Sequence, residues 1–347
     1  MTRAPLPPLA PRAAAGGRRD EVTIEQVSAG FQRLALQLLP WLQGLLAAIA
    51  GLLLFAAGLP SLLLFAAIAG PLVVLLQLWL RQAGPVLPIL PAYLLIPKDA
   101  LSGKKNVSGI LCPHPTDNNI GHKVVVGLGG KANRQYAAEL AERGFVTLAP
   151  SYPLLANYQP DLKALGWESG TLKAVWDNIR GLDLLESLPF VNAKAGFGTI
   201  GHSLGGHNSV YTAVFDQRIK VIVSSCGLDS YLDYYGGNPK NWEPERGWCQ
   251  TRYMLKLAGY HGRLEEIPFD FHEMIGALAP RMCFINAPLK DSNFKWDSVD
   301  RVVAAASHIY KLHGQPGNLL VEHPDCDHDF PDAMREKAYR LFEQHLR

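Results

Sequence analysis

Gly201-His202-Ser203-Leu204-Gly205 is the part of this 347-residue chain that leaves the fewest folds open. A serine with glycine two positions before it and two after it fits a sharp strand-to-helix turn. Any side chain at either glycine would meet the neighbouring strand or helix, and the strained turn exposes the hydroxyl. The flanks suit such a turn: residues 195–200 read as the strand leading in, and residues 206–213 as the helix leading out. The bland alternative is a glycine-rich turn with an idle serine, and the partners of Ser203 decide between the two.

A serine hydroxyl is a weak nucleophile that needs a base, and the base needs a carboxylate to orient it. Where such an elbow heads a parallel sheet, the partners follow in the order serine, acid, histidine. Asp291 sits just past the apolar run 282–286, at a strand end where the acid belongs, with Asp297 as runner-up. His328 lies on the turn between the run 319–322 and the closing helix 332–345, where the base belongs; His323 stands too close to its strand. Asp325, Asp327 and Asp329 lack the glycine and distant glutamate of a calcium loop and read as solvated turn carboxylates, so no metal is expected. The tetrahedral intermediate needs two backbone N–H donors. Leu204, after the nucleophile, supplies one. The turn after the strand 109–112 supplies the other, and there Thr116 is preferred because Pro115 has no N–H; His114 is the residue placed to brace that turn.

The rhythm of residues 84–347 fits a mostly parallel sheet flanked by helices. Strands are expected at 91–97, 109–112, 145–149, 196–200, 221–226, 282–286 and 319–322, and helices at 132–143, 171–188, 299–312 and 332–345. An insertion at about 228–280, before the acid strand, carries Tyr231, Tyr234, Tyr235, Trp242, Trp248, Tyr253, Tyr260, Phe269 and Phe271. Such rings suit a lid over a sugar or aromatic ester, and equally suit packing of the insertion onto the domain.

Several segments together carry a resemblance: Leu111-Cys112-Pro113-His114-Pro115-Thr116, Gly127-Leu128-Gly129-Gly130, residues 140–150, Gly201-His202-Ser203-Leu204-Gly205-Gly206-His207, residues 287–294, and Asp327-His328-Asp329-Phe330-Pro331. From about Pro91 to the C-terminus the chain resembles the α/β-hydrolases, and within them the dienelactone-hydrolase and acetyl-xylan-esterase-like branch. The resemblance implies an α/β-hydrolase fold, hydrolysis of a small-molecule carboxylic ester through a Ser203–His328–Asp291 triad, and no cofactor. Dienelactone hydrolases use a cysteine nucleophile, so Ser203 favours the esterase side. The first antiparallel strands of such proteins are missing or shortened, and Pro115 stands where they often have an N–H. A lactonase or peptidase would use the same parts, and a non-catalytic membrane-tethered binding protein is the alternative of another class.

Residues 1–33 are rich in Pro, Ala and Arg and read as a flexible tail. Residues 34–82 read as an apolar helical hairpin, since no charge occurs between Arg33 and Arg81. One helix over that span would be about 70 Å long at ~1.5 Å per residue, against a hydrocarbon core of about 30 Å. Gly58-Leu59-Pro60-Ser61 breaks it into two spans of suitable length. The stretch is too long and too far from the start for a signal peptide. Both flanks are basic, which places both ends and the catalytic domain on the cytoplasmic side of the inner or another membrane. A hairpin buried against a cytoplasmic domain is the alternative. Over the whole chain, 33 Lys and Arg against 31 Asp and Glu exclude a general nucleic-acid surface, and five scattered cysteines without a CxxC pair exclude a disulfide framework or structural zinc site.

Overall fold

The structure, a computed structural model, describes residues 90–347. The tail at 1–33 and the apolar hairpin at 34–82 lie outside the described residues. Among the described residues no helix is long and apolar enough to cross a membrane.

Seven strands form one sheet: β1 (Ala92–Leu95), β2 (Gly109–Leu111), β3 (Val146–Pro150), β4 (Phe197–His202), β5 (Ile219–Ser225), β6 (Met282–Asn286) and β7 (Leu319–Glu322). Their order across the sheet is β1-β3-β2-β4-β5-β6-β7. Only β1 runs antiparallel, pairing Ala92 with Pro150 through Leu95 with Thr147. β2, β3, β4 and β6 are buried along their whole length and β5 at every position but Lys220, as strands covered on both faces are, whereas the outer strand β7 is fully buried only at Leu319. Alternation still sorts the side chains. Leu111, Ile222 and Ile285 join one core cluster, while Ile110, Val221, Val223 and Phe284 join the other.

Helices cover both faces: α1 (Lys98–Leu101), α2 (Tyr136–Glu142), α3 (Gly170–Ser187), α4 (Leu204–Phe215), α5 (Phe271–Ala277), α6 (Trp296–Leu312) and α7 (Asp332–His345). Local signals start two of them. The Ser169 side chain accepts from Leu172 N–H at the head of α3, and Asp270 with Glu273 forms a capping box on α5.

The structure corrects two of the sequence expectations. The helix expected at 132–143 begins only at Tyr136, because Gly129, Gly130 and Asn133 take left-handed φ values of 108°, 87° and 62°. The strand expected at 91–97 shortens to Ala92–Leu95, since proline cannot donate to a ladder. The first antiparallel strands, expected to be missing or shortened, are reduced to β1, the one antiparallel strand among the described residues.

Residues 226–281 join β5 to β6 through four short 3-10 turns and α5. Most of the insertion's rings are packing. Tyr231, Trp242 and Phe271 are fully buried, and Trp248 stacks on His207 of α4 with ring centroids 4.1 Å apart. Tyr235 is the exposed exception among the large rings of its first turn, at 41%.

Candidate active site

Ser203 sits between β4 and α4 at φ 55° and ψ −123°, a conformation that a non-glycine residue adopts only when its surroundings impose it. Those surroundings are backbone. A Cβ on Gly201 would lie 2.1 Å from the Gly205 carbonyl carbon, and one on Gly205 would lie 2.2 Å from the Pro113 oxygen. The two glycines of the motif are therefore steric necessities. Ser203 N–H donates to Ser225 O at 2.7 Å, tying the elbow to the next strand. The Ser203 hydroxyl makes no hydrogen bond among the described residues and remains available to a substrate.

Asp291 and His328 meet as the chain order requires. His328 Nδ1 lies 2.8 Å from Asp291 Oδ2; the carboxylate side chain is 1% exposed and the imidazole 24%. Asp291 Oδ1 accepts from Asn293 N–H at 2.8 Å, which fixes the second oxygen. Asp297, the runner-up acid, lies instead in the exposed first turn of α6, paired with Arg301 at 3.1 Å. His323 is engaged elsewhere, with Nε2 2.9 Å from Asp300 and Nδ1 2.7 Å from Ala287 O.

The turn after β2 passes directly over the elbow, since Pro113 and His114 carbonyl atoms are what a Cβ on Gly205 would strike. His114 braces this turn. Its Nε2 accepts from Tyr152 N–H at 3.0 Å while Nδ1 donates to Pro115 O at 2.7 Å. That geometry needs a neutral ring, and burial lowers the His114 pKa to about 4. Thr116, two residues on, pairs its hydroxyl with Tyr253 of the insertion at 3.0 Å. Leu204 N–H, at the first position of α4, has no intrahelical acceptor.

Of the three turn carboxylates, Asp329 departs from the solvated reading. Arg134, buried, reaches it at 2.5 Å and also donates to His328 O at 3.3 Å; Asn133 donates to its other oxygen at 2.8 Å. Burial works to raise the Asp329 pKa, and these hydrogen bonds outweigh it and hold the carboxyl below its usual range. Arg134 and Asn133 thus clasp the histidine loop to the segment before α2. The sequence reading missed this clasp. Asp325 keeps to the surface, paired with Lys290 at 2.6 Å.

Residues 165–314 match the family model described as glucuronyl esterase, fungi. That span holds Ser203 and Asp291 and stops short of His328. The chain is 23% identical over 188 residues to 4-O-methyl-glucuronoyl methylesterase 1 of Wolfiporia cocos, covering 50% of this chain and 45% of that one. It is 25% identical over 172 residues to Putative hydrolase YtaP of Bacillus subtilis, covering 50% and 53%. The chain therefore spans about half the length of the curated relatives it matches. Among solved structures, the glucuronoyl esterase from Solibacter usitatus aligns with a TM-score of 0.58 at 18% identity, over 76% of this chain and 79% of that one. The CE15 glucuronoyl esterase from Caldicellulosiruptor kristjansonii gives 0.56 at 16%, over 74% and 72%. With one antiparallel edge strand among the described residues, a parallel remainder and a glycine-flanked serine elbow, the chain has the fold of an α/β-hydrolase.

Proposed function

We propose that the chain is a serine carboxylesterase acting on the ester of a uronic acid carboxyl. The observation that carries the serine chemistry is the 2.8 Å His328–Asp291 hydrogen bond, in a chain whose Ser203 stands on a strained elbow. Ser203, deprotonated by His328, attacks the ester carbonyl. Asp291 keeps the imidazole in its Nδ1–H tautomer and stabilises the imidazolium. The oxyanion is held by the Leu204 N–H and a donor from the turn at Thr116. His328 gives the proton to the departing alcohol, then activates the water that releases the acid. The glucuronyl-esterase likeness of residues 165–314, which include the insertion, supports a uronate as the acyl part.

The charge-free stretch between Arg33 and Arg81 attaches the enzyme to a membrane, with the catalytic domain on the cytoplasmic side; composition is what supports this. The test is fluorophosphonate labelling of intact protein and of Ser203→Ala in membrane and soluble fractions, alongside turnover of methyl glucuronate and of a simple acetyl ester. Labelling lost in the mutant, with turnover of the glucuronate ester well above the acetyl ester, is expected. A preference for the acetyl ester overturns the uronate assignment. Absence of labelling in folded protein overturns the serine mechanism and leaves the binding-protein reading in its place.

A further inference from the structure

Three metal-ligating side chains converge at the back of the triad. His202 closes β4, directly before the nucleophile. Cys226 follows β5 at a φ of 49°, with Sγ 3.3 Å from Asp329 O. The His202 and His328 rings stand 4.7 Å apart by centroid. One ring nitrogen of each histidine and Cys226 Sγ all lie within 4.8 Å of one another. We propose that His202, Cys226 and His328 form an inhibitory site for a borderline-soft divalent cation such as Zn²⁺.

The donor set argues for that class of ion. Two imidazoles and a thiolate suit zinc or copper, whereas magnesium and calcium want oxygen. The outer contacts fit as well. Ligating imidazoles almost always use their second nitrogen on a carboxylate, a carbonyl or another polar partner that orients the ring. His202 Nδ1 lies 3.0 Å from Ser225 Oγ, and His328 Nδ1 is on Asp291, so each Nε2 is left over. Tetrahedral zinc on two imidazole nitrogens and one thiolate has ligand-to-ligand edges of roughly 3.3–3.6 Å. The site must therefore contract by about an ångström from its 4.8 Å span. His202 and Cys226 are buried and fixed, and the part-exposed His328 ring is the ligand able to move and the side from which an ion enters.

On binding, the Cys226 S–H bond is replaced by an S–metal bond and the proton leaves to solvent; no electron transfer is involved. The ion takes a nitrogen of His328, and either nitrogen disables the enzyme. Nε2 is the one that accepts the Ser203 proton, and Nδ1 is the one Asp291 holds. The inhibition rests on the reading of His328 as the base, whereas the binding does not.

The experiment has two arms on the full chain. Cobalt(II) added to the protein is expected to give a thiolate-to-cobalt charge-transfer band in the near ultraviolet that disappears in Cys226→Ser, with Cys226→Ala as a second variant should the first not fold. In buffered free Zn²⁺, fluorophosphonate labelling of the wild type is expected to be blocked, and Cys226→Ser to need at least about tenfold more zinc, the size of loss that even an outer-shell partner causes. A cobalt band with no hydrolase activity keeps the site and discards the proposed function. Absence of the band, its persistence in both variants, or equal zinc sensitivity of wild type and Cys226→Ser overturns the proposal.

Discussion

Under the proposed mechanism Ser203 carries both the chemistry and a conformational cost. An L-residue at φ 55° and ψ −123° costs about 1–3 kcal/mol, and alanine there inherits the strain while glycine relieves it. Ser203→Ala and Ser203→Gly are both expected to lose ester hydrolysis by at least about 10⁴-fold. They part on stability: Ser203→Gly should be the more stable by about 1 kcal/mol, after its extra backbone entropy is deducted. Denaturant titration of the two inactive variants reads this directly, and equal stabilities would mean the elbow is unstrained. The acid is open to a sharper comparison. Asp291→Asn can donate to Nδ1 and so turn His328 into the wrong tautomer, with an expected loss of about 10⁴ in kcat. Asp297→Asn removes only one end of an exposed pair with Arg301 and should leave kcat unchanged and stability within about 0.5 kcal/mol. Steady-state kinetics on both variants decides which carboxylate serves His328.

At the level of elements, the elbow is a contact between backbones. A Cβ on Gly205 would lie 2.2 Å from Pro113 O, and no rotamer can move a carbonyl that also accepts the Tyr136 hydroxyl. Gly205→Ala is expected to cost about 3 kcal/mol or more and to abolish activity; a thermal melt within a degree of wild type would contradict the close approach. Gly170 is under a similar constraint for a reason outside its own neighbourhood. A Cβ there would meet Arg252 O at 2.1 Å, because the insertion lies across the head of α3. The contrast between these glycines shows what was readable in the sequence. Gly201 and Gly205 answer to a local turn, so spacing alone reveals them. β6, β7 and α7 begin and end where their apolar runs and flanking turn residues place them, again by local rules. The pairing of Asp291 with His328 follows from chain order. Arg134 was not legible, since its partner Asp329 is 195 residues away and no local pattern marks the pairing. The same holds for the insertion, whose rings find partners in α4 and in the turn after β2.

Across the whole molecule, buried histidines make folding acid-sensitive. His114 braces the turn after β2. His122 lies against Tyr93 of β1 with ring centroids 5.0 Å apart, and His207 is stacked between Tyr211 and Trp248. Burial lowers their pKa values to about 4, about 3 and about 3 from an ordinary 6.5; for His122, the charges of His114 and Lys123 add to it. A folded-state pKa below the unfolded one means that the unfolded chain takes up the proton first. The contribution is thus complete above pH 6.5 and is lost as pH falls from there toward each folded value. Each histidine contributes a slope of about 1.4 kcal/mol per pH unit, so the three together remove about 4 kcal/mol per unit below pH 6.5. Domains are commonly stable by only about 5–15 kcal/mol, so acid unfolding should set in near pH 5. His207 tests the account most cleanly, because burial is the sole cause of its shift and both its ring nitrogens lack partners among the described residues. His207→Phe keeps an aromatic ring in the stack and removes the titrating group. Any cost of the larger ring is independent of pH, so the quantity to read is the difference in unfolding free energy between pH 8 and pH 5. By the linkage above, that difference should shrink by about 2 kcal/mol in the variant, the share of one histidine over the 1.5 units below its ordinary pKa. Urea titrations of wild type and variant at the two pH values measure it. A difference unchanged by the substitution would place the His207 proton in contact with water and remove it from the source of the acid sensitivity.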